Sequence, residues 1–266
     1  MNIQLSNKRM LEYDLNKSHS NILSFSTTRH GGYSEGTYAS FNCNDYCGDD
    51  LEVVQRNQNL LRELLPGHPD LIIPHQVHKT QVGSIDDSFL LADELERKDK
   101  LEGIDAIVSD KQGICLCIST ADCIPVLCYD VHRQVIAAIH AGWRGTVGRI
   151  VEKTIRVMTE RYDCIPADIR AVIGPGISLD SFEVGDEVYQ AFETAQFDMN
   201  RIARKYDKWH IDLWEANKLQ LIHCGINAVN IELAGICTYQ QYEDFFSARR
   251  LGISSGRIFT GIMLKV

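Results

Sequence analysis

Residues 114–146 decide the expected fold: their sequence is I-C-L-C-I-S-T-A-D-C-I-P-V-L-C-Y-D-V-H-R-Q-V-I-A-A-I-H-A-G-W-R-G-T. The two outer runs, 114–119 and 135–140, are apolar and rich in β-branched residues, which predicts two buried strands. Residues 125–129 lie between them. We therefore expect the two outer runs to be strands of one sheet that carries the reactive groups of the protein.

A thiol and an imidazole stand where these runs give way to loops. Cys123 lies in the turn T-A-D-C-I-P, and His140 begins the segment H-A-G-W-R-G-T. A rigid sheet delivers reactive side chains at such strand ends, because the strand fixes the backbone and the loop leaves room for a ligand. Cys123 and His140 are therefore the first candidates for catalytic residues.

The composition indicates one globular domain. The chain has 266 residues, of which 44% are hydrophobic and 24% charged, and no linker rich in Pro, Ser or Gly divides it. This length is near the upper end for one domain, so we expect residues 1–266 to form a single domain. Nine cysteines, an odd number, argue against a secreted disulfide framework and favour reduced thiols.

Charge and hydropathy exclude two classes of partner. The formal net charge is −9, from 27 basic and 36 acidic residues, without a basic stripe. Binding to a nucleic-acid backbone requires clustered Lys and Arg, so no nucleic acid is expected as a partner. The N-terminus lacks the apolar core of a signal peptide, and no apolar run approaches the roughly 20 residues of a membrane span. These features favour a cytoplasmic protein with no membrane partner.

The rest of the chain mixes strands and helices without strict alternation. Strands are expected at 22–26, 71–77, 106–108, 170–173, 229–233 and 258–266, and Pro74 favours an edge position for 71–77. A helix capped by Asp49 or Asp50 is expected to end at Pro66-Gly67. Further helices are expected from Thr146 through Tyr162, at 186–195, and at 213–223 with Asp212 as the cap. Residues 84–103 are charged and aperiodic, which predicts a surface excursion. This mixture predicts an α/β or α+β sandwich with helices outside.

His78, Cys123 and His140 form the candidate metal site. Each falls where a strand-like run ends, so the sheet geometry can bring them together. Imidazole and thiolate suit zinc, and three protein ligands leave a fourth position for water, as in catalytic zinc sites. A Cys/His pair also suits a thiolate nucleophile activated by imidazole. The spacing does not separate these interpretations, and both require Cys123 beside His140.

Arginines and an asparagine in turn segments are candidates for substrate binding: Arg29, Asn42, Arg144 and Arg250. A guanidinium can clamp phosphate or carboxylate, although a surface ion pair is the ordinary role of any single arginine. We expect Arg29 and Arg144 to border the metal cavity.

Three further side chains are candidates for carrying protons: His75, Asp122 and Glu183. In H-Q-V-H, His75 and His78 are expected on opposite faces of a strand, so His75 is not expected to bind the same metal. Cys43-x3-Cys47 is half of a metal motif, but the sequence offers no matching second pair.

Several motifs together resemble the laccase-domain family. T-A-D-C-I-P-V-L and H-A-G-W-R-G-T are highly specific, and they are accompanied along nearly the whole chain by T-R-H-G-G-Y-S, Y-A-S-F-N, P-H-Q-V-H, D-A-I-V-S, I-G-P-G-I, F-E-V-G-D-E-V, C-T and F-F-S-A-R-R. The family comprises one-domain proteins first called multicopper polyphenol oxidases and now regarded as zinc-dependent purine nucleoside phosphorylases and deaminases.

The resemblance implies a fold, a metal site and a reaction. The fold would be a layered α/β/β/α sandwich, and the metal ligands fall on His78, Cys123 and His140. The implied reactions are phosphorolysis of adenosine, inosine and S-methyl-5′-thioadenosine to the base and the (methylthio)ribose 1-phosphate, and adenosine deamination by attack of water on C6. The expected cofactor is Zn2+, with Cu2+ as the alternative ion, and the expected partners are a purine nucleoside and phosphate. The sequence leaves the oligomeric state open.

The sequence departs from the family pattern at three positions. The family usually has F-F-S-Y-R-R-D-G, whereas Ala248 and Leu251 replace its tyrosine and aspartate, and Lys79 follows H-Q-V-H where glycine is usual. If these positions shape the pocket, they change the substrate preference and leave the metal site intact.

Other functions are the alternatives. A copper-dependent polyphenol oxidase of the laccase type needs four coppers and roughly ten histidines, commonly in H-x-H pairs. The chain has nine histidines and no H-x-H. A metal-free Cys/His hydrolase would use Cys123 as its nucleophile, but a purine ring offers no acyl group for transfer to a thiol. A binding module without catalysis is a further alternative.

Overall fold

Two six-stranded sheets packed face to face form the centre of the molecule. The computed structural model describes residues 5–6 and 9–265. The strands are β1 (Leu5–Ser6), β2 (Met10–Glu12), β3 (Ile22–Thr27), β4 (Asp70–Ile72), β5 (Val82–Ile85), β6 (Ala106–Ser109), β7 (Ile114–Thr120), β8 (Ile124–Asp130), β9 (Val135–Ala141), β10 (Ile169–Ile173), β11 (Glu183–Val184), β12 (Ala203–Lys205), β13 (Trp209–Ile211), β14 (Ile231–Leu233) and β15 (Ile258–Leu264). The α-helices are α1 (Leu15–Ser18), α2 (Leu51–Leu64), α3 (Asp87–Leu90), α4 (Glu94–Leu101), α5 (Trp143–Val147), α6 (Ile150–Tyr162), α7 (Asp186–Thr194), α8 (Met199–Ile202), α9 (Leu213–His223) and α10 (Ala248–Leu251).

The strand order places the two outer runs of the 114–146 stretch in different sheets. The first sheet has the order β1-β2-β3-β15-β7-β4, the second has the order β14-β10-β8-β9-β6-β5, and a small third sheet has the order β11-β13-β12. β8 and β9 form an antiparallel hairpin in the second sheet. The prediction that 114–119 and 135–140 share one sheet is therefore wrong, because β7 belongs to the first sheet and β9 to the second.

Burial on both faces of these strands explains the error. Along β7, Leu116 belongs to the layer between the sheets, whereas Cys117 belongs to the layer beneath α2. Along β9, Ile136 joins the layer between the sheets and Ala137 the layer beneath α6. A strand that is buried on both faces is apolar throughout, so its sequence does not show which sheet it joins.

Three apolar layers separate the sheets and the helices. One lies between the two sheets. A second lies between the first sheet and α2, where Phe25 and Leu61 are buried. The third lies between the second sheet and the pair α6 and α9, where Ile155 and Leu221 are buried. The order helix, sheet, sheet, helix confirms the layered α/β/β/α sandwich, and the single domain over residues 1–266 stays a prediction.

Two predicted helix caps and one edge strand are confirmed. Asp50 begins α2 by accepting hydrogen bonds from two backbone N–H groups of its first turn. Asp212 begins α9 by accepting a hydrogen bond from the N–H of Glu215. β4 covers only part of the predicted run 71–77, and it lies at the edge of the first sheet. Pro74 lies beyond its end, as expected for a residue that cannot donate to a strand ladder.

Several predicted boundaries are wrong. The helix expected from Thr146 through Tyr162 is two helices, α5 and α6, separated where Arg149 adopts a left-handed φ of 63°. Residues 84–103, expected as an irregular excursion, contain α3 and α4, which are capped by Asp86 and Asp93. These helices are short and capped but lack a buried apolar stripe, so their sequences show no apolar periodicity from which a helix could be predicted.

The last two predicted strands are shorter than expected. The run 229–233 contributes Ile231–Leu233, and the run 258–266 contributes Ile258–Leu264, with position 266 outside the described residues.

None of the described helices combines the length and the apolar character that a membrane crossing requires.

Candidate metal centre and cavity

The potential ligand atoms of His78, Cys123 and His140 all lie within 4.8 Å of one another. His140 is near the end of β9. Cys123 immediately precedes β8, the strand that forms a hairpin with β9. The hairpin pairing therefore explains why Cys123 and His140 meet. His78 reaches the same point from the loop between β4 and β5, where it adopts a left-handed φ of 61°. A non-glycine residue rarely adopts this conformation without support from its surroundings.

Asp105, which directly precedes β6, supplies that support. Its fully buried carboxylate accepts hydrogen bonds from the backbone N–H groups of His78 at 2.9 Å and Lys79 at 2.7 Å. It also accepts a hydrogen bond from Nδ1 of His140 at 2.8 Å. When His140 is neutral, donation from Nδ1 to this carboxylate leaves the lone pair on Nε2, where a metal can bind. One carboxylate therefore fixes the backbone of one candidate ligand and the tautomer of another.

The structure adds Asp105 to the residues found from the sequence. Its position in D-A-I-V-S, one residue before a buried strand, was the available sequence signal. The acid is fully buried in the structure, and a buried carboxylate is rare unless it is paired. From the sequence alone, the aspartate is equally consistent with an exposed turn residue.

Gly142 keeps open the space among the candidate ligands. A β-carbon at this position would lie 2.9 Å from Sγ of Cys123 and 3.3 Å from Cδ2 of His78. Any side chain would therefore push into the cluster. Two imidazoles and a thiolate are the donor set that zinc favours, with copper as a competitor. The residues present fit a metal ion, and they form a candidate His-Cys-His metal site.

The charges of the cluster favour the thiolate. Burial raises the pKa of Cys123, but the charge of His140 and hydrogen bonds from His140 and His78 lower the pKa to about 6. Burial lowers the pKa of His140, but the Cys123 thiolate and Asp105 raise it to about 9. In the metal-free protein, these directions favour a thiolate beside an imidazolium. The thiolate is the form that binds metals and the form that attacks electrophiles.

A cavity of about 350 Å³ opens beside the candidate ligands. This volume lies within the roughly 300–1,000 Å³ of small-molecule sites. One wall of the cavity, which we name the ligand wall, consists of His78, Cys123 and His140. A second wall, which we name the loop wall, consists of Tyr46, Cys47, Ala248, Ile253 and Arg257.

Arg144 also lines the cavity. It is carried by α5, directly after Gly142, and its guanidinium lies 4.3 Å from the ring centre of Trp143. Within the described part of the chain, this guanidinium has no hydrogen-bond partner, so its donors are free for a ligand. A cationic side chain beside the candidate metal site provides a place for an anion.

Arg29 and Arg250 lie elsewhere. The guanidinium of Arg29 donates from Nε to the carbonyl of Ala39 and from a terminal nitrogen to the carbonyl of Tyr242, both at 2.8 Å. The Arg250 guanidinium lies 4.6 Å from the ring centre of Tyr242. Neither arginine belongs to the cavity lining among the described residues. The expectation that Arg29 borders the cavity therefore does not match the structure, because its donors hold two loops together.

Asn42 is fully buried behind the loop wall. Its Nδ2 donates to Asp49 at 2.9 Å, and its Oδ1 accepts hydrogen bonds from the backbone N–H groups of Asn44 and Arg257. It does not belong to the described lining of the cavity. Asn42 thus orders the loops that carry Arg257 and the other members of the loop wall.

The three candidate proton carriers also separate in space. Asp122 accepts a hydrogen bond from the backbone N–H of Arg249 at 2.7 Å and so ties the turn before Cys123 to α10. Glu183 pairs with Lys208 at the surface. His75 lines the cavity. Of these three residues, His75 is the one with access to a bound molecule.

A small hydrogen-bond network that lines the cavity was not predicted from the sequence. Gln76 donates through Nε2 to the carbonyl of Ser119 at 2.8 Å and accepts from the Ser119 N–H at 2.8 Å. Asn44 donates to Oγ of Ser119 at 2.7 Å. The side chain of Gln76 therefore pairs with β7 as a backbone segment would, and it holds the loop before His78 against the first sheet.

The fold and the site define a class: a layered α/β/β/α protein with a His-Cys-His cluster at one end of its two central sheets. A family model described as multi-copper polyphenol oxidoreductase laccase matches residues 23–265. The chain therefore belongs to this family, which confirms the resemblance that its motifs carry. The described residues contain one cluster of three or more potential metal ligands rather than the several that four coppers would require.

Relatives match over nearly the whole length. The chain is 54% identical over 261 residues to a protein of Bacteroides thetaiotaomicron named purine nucleoside phosphorylase, covering 97% of each chain. It is 42% identical over 256 residues to a protein from an unknown prokaryotic organism named adenosine deaminase RL5, covering 95% of this chain and 97% of the other. The crystal structure of YlmD from Geobacillus stearothermophilus superposes with a TM-score of 0.90 at 28% identity, covering 99% of each chain. The protein is an enzyme of this family.

Proposed function

We propose that the protein is a zinc-dependent purine nucleoside enzyme. Its reactions would be phosphorolysis of adenosine, inosine and S-methyl-5′-thioadenosine, and deamination of adenosine. The observation that carries this proposal is the convergence of His78, Cys123 and His140 within 4.8 Å beside a cavity that also exposes Arg144. The names of two relatives, purine nucleoside phosphorylase and adenosine deaminase RL5, support the two reactions.

The donor set supports zinc as the cofactor. A thiolate and two imidazoles leave one position of a tetrahedral ion open, and zinc in such a site acts as a Lewis acid and lowers the pKa of water to about 7. His78, Cys123 and His140 would hold the ion, and Asp105 would keep Nε2 of His140 directed to it. Copper competes for the same donors.

The remaining residues bind and orient the substrates. In phosphorolysis, a phosphate oxygen attacks C1′ of the ribose while the purine leaves. Arg144 would hold this phosphate beside the sugar, because its guanidinium offers free donors in a planar fork that matches a phosphate edge. In deamination, water adds to C6 and the 6-amino group leaves as ammonia, so that C6 becomes a carbonyl; this reaction needs no such anion. The two reactions therefore share a purine site and differ in their need for Arg144.

A metal-free cysteine hydrolase is the second candidate. The pKa of about 6 for Cys123 favours it, because a thiolate beside an imidazolium is the resting state of many cysteine nucleophiles. Asp105 would orient the imidazole there too. The zinc proposal is preferred because a nucleophile needs only one imidazole as its base, which His140 supplies, whereas His78, Cys123 and His140 together complete a three-ligand metal site.

The cytoplasm is the compartment that we infer. All nine cysteines are free. Thiols stay reduced in cytosolic proteins, whereas oxidising compartments favour disulfides. The partners in this proposal are small molecules, a purine nucleoside and phosphate, and the single domain would hold the complete site.

Arg144→Lys tests the assignment of the two reactions. Adenosine is supplied to protein purified without a metal-affinity column, with and without phosphate, and adenine and inosine are measured as products. We expect kcat/KM for phosphorolysis to fall by about tenfold and deamination by less than about twofold, because lysine loses the bidentate contact. Arg56→Lys is the matched control, since that guanidinium also covers an aromatic ring, Tyr33 at 4.2 Å, outside the cavity.

Three outcomes would contradict the proposal. Wild-type protein that contains about one zinc but forms neither adenine nor inosine would overturn the purine assignment. Four coppers per chain would favour the oxidase. Equal losses of both reactions in Arg144→Lys would show that Arg144 contacts the nucleoside or only supports the fold.

A further inference from the structure

The inner face of α9 carries two buried amides. Asn217 and Gln220 are fully buried in this helix, in the apolar layer beneath the second sheet. Burying an amide is unfavourable unless its polar atoms are hydrogen-bonded, and apolar side chains would pack there without this cost. Their partners therefore show what these residues contribute.

Both amides are directed to one residue of α5. Nδ2 of Asn217 donates to Oγ1 of Thr146 at 3.1 Å, and Nε2 of Gln220 donates to the carbonyl of Thr146 at 3.1 Å. Thr146 is itself fully buried, and its hydroxyl lies 3.4 Å from two acceptors, the carbonyl of Ala141 and Oδ1 of Asn217. Its N–H donates to the carbonyl of Gly142 at 2.8 Å. Thr146 thus joins α9 to the backbone between the ligand His140 and α5.

α5 depends on such contacts. It has five residues, and the residue that precedes it, Gly142, provides no side-chain cap. A helix of this length is not stable without tertiary contacts, because the cost of forming the first turn exceeds the gain from so few hydrogen bonds. The same helix carries Arg144 into the cavity. The position of this arginine is therefore set by whatever holds α5.

Stability alone does not account for the network. Oε1 of Gln220 is buried and has no hydrogen-bond partner among the described residues. A partly satisfied polar network is less stable than a well-packed apolar one. A role in fixing the geometry of the site is consistent with retaining two amides at this cost.

We propose that Asn217 and Gln220 are positioning residues, which hold α5 through Thr146 and thereby place Arg144 at the cavity. The placement of α5 is independent of the reaction, whereas its effect on phosphate use rests on the proposed function. The test therefore has two readouts: hydrogen exchange for the placement of α5, and kinetics for its effect on phosphate use.

The test compares two variants of α9. Asn217→Leu combined with Gln220→Met removes the amides and fills their space with apolar groups of similar size. Leu221→Ala is the control, because it damages the same apolar layer without a hydrogen bond to α5. Hydrogen exchange is measured at the amides of Thr146 and Gly148, which donate to the carbonyls of Gly142 and Arg144 across the two ends of α5. We expect exchange there to rise by about tenfold or more in the double variant, whatever its Tm, and to change little in Leu221→Ala, although Leu221→Ala lowers the Tm.

The second readout is kinetic. We expect the KM for phosphate to rise by about tenfold in the double variant, while the KM for adenosine, the rate of deamination and the zinc content stay within about twofold of wild type. A merely structural role would lower all activities together in proportion to the folded fraction, as expected for Leu221→Ala.

The outcomes are separable. Unchanged exchange in α5, or equal effects in the two variants, would overturn the positioning role. Raised exchange with no change in the KM for phosphate would overturn the placement of Arg144 by the network. Raised exchange in a protein whose wild type performs no phosphorolysis would support the positioning role and show that the proposed function is wrong.

Discussion

On the ligand wall of the cavity, His140 is almost completely buried and hydrogen-bonded to a fully buried carboxylate, whereas on the loop wall Tyr46 is 43% exposed and Ile253 is 81% exposed. On the ligand wall, Cys123 and His140 lie at strand ends, and the exposed His78 comes from a loop whose backbone N–H groups are held by a buried carboxylate. The loop wall is built from turns and a short helix. A rigid arrangement suits chemistry that requires fixed atoms, and an open one suits recognition that varies among substrates.

The two thiols of the cavity show the same contrast. Cys123 on the ligand wall has its pKa lowered to about 6 despite burial, chiefly by the charge of His140. Cys47 on the loop wall has its pKa raised by burial, and its Sγ donates to the carbonyl of Asn44 at 3.3 Å. Two residues of one type, in one cavity, are therefore poised for different chemistry by their neighbours.

Cys123→Ala should have the largest effect. We expect bound zinc to fall to background and both reactions to fall by on the order of 10³-fold or more, because two imidazoles alone do not hold the ion. Cys47→Ala is the matched control and should keep zinc and most activity. Elemental analysis and the adenosine assay provide the measurements. Full zinc occupancy in an inactive Cys123→Ala would instead identify Cys123 as a nucleophile.

Asp105→Asn should have the next largest effect. The amide cannot accept hydrogen bonds at both of its positions, so the backbone of His78 and the ring of His140 lose part of their support. We expect zinc affinity to fall by about 10–100-fold. The free energy of unfolding should decrease by about 1–3 kcal/mol, because buried donors lose an acceptor. Metal titration and thermal unfolding measure the two effects.

Asp130→Asn is the control for this variant. Asp130 is also fully buried and accepts hydrogen bonds from the backbone N–H groups of His132, Arg133 and Ile165. It lies at the other end of β8, about 20 Å from the ligands. A similar loss of stability with unchanged zinc affinity is expected there. If Asp130→Asn lowered the zinc affinity by the same factor, Asp105 would contribute to the stability of the fold and would have no specific role in supporting the metal ligands.

The pH dependence of zinc uptake should be a smaller effect. Because the pKa of Cys123 is lowered to about 6 and that of His140 is raised to about 9, this pair holds two protons below the lower value, one between them and none above the higher value. Zinc requires both groups deprotonated. Zinc affinity should therefore fall as the pH decreases, and the protons released per zinc should decrease by about one as the pH rises through about 9. Calorimetry in buffers of different ionisation enthalpy counts these protons, and a constant number would contradict the pairing.

The contrast between the walls also explains what could be predicted from the sequence. Cys123 and His140 could be found because each follows an apolar run, and a strand end has a recognisable pattern. The layered fold came from the family resemblance, whereas the assignment of 114–119 and 135–140 to one sheet failed because strands buried on both faces share one pattern. The path from His78 to the cluster depends on Asp105, a long-range contact that local patterns do not show. The roles of Arg29 and Asn42 could not be predicted from the sequence. A polar residue in a turn can bind a ligand or form hydrogen bonds within the loop, and the two roles have the same local sequence pattern.

Ala248→Tyr should have the smallest effect, and it should be confined to the loop wall. Ala248 lines the cavity at the position where the family usually has tyrosine. A ring there would reduce the space for a substrate without touching His78, Cys123 or His140. We expect unchanged zinc content and a change of less than about tenfold in the ratio of kcat/KM for adenosine and S-methyl-5′-thioadenosine, the size of effect that a change in an apolar wall produces. Loss of zinc in this variant would mean that the two walls are coupled. A ratio that stays constant would mean that the substituents of the nucleoside do not reach α10, so the departure from the family sequence would have no bearing on substrate choice.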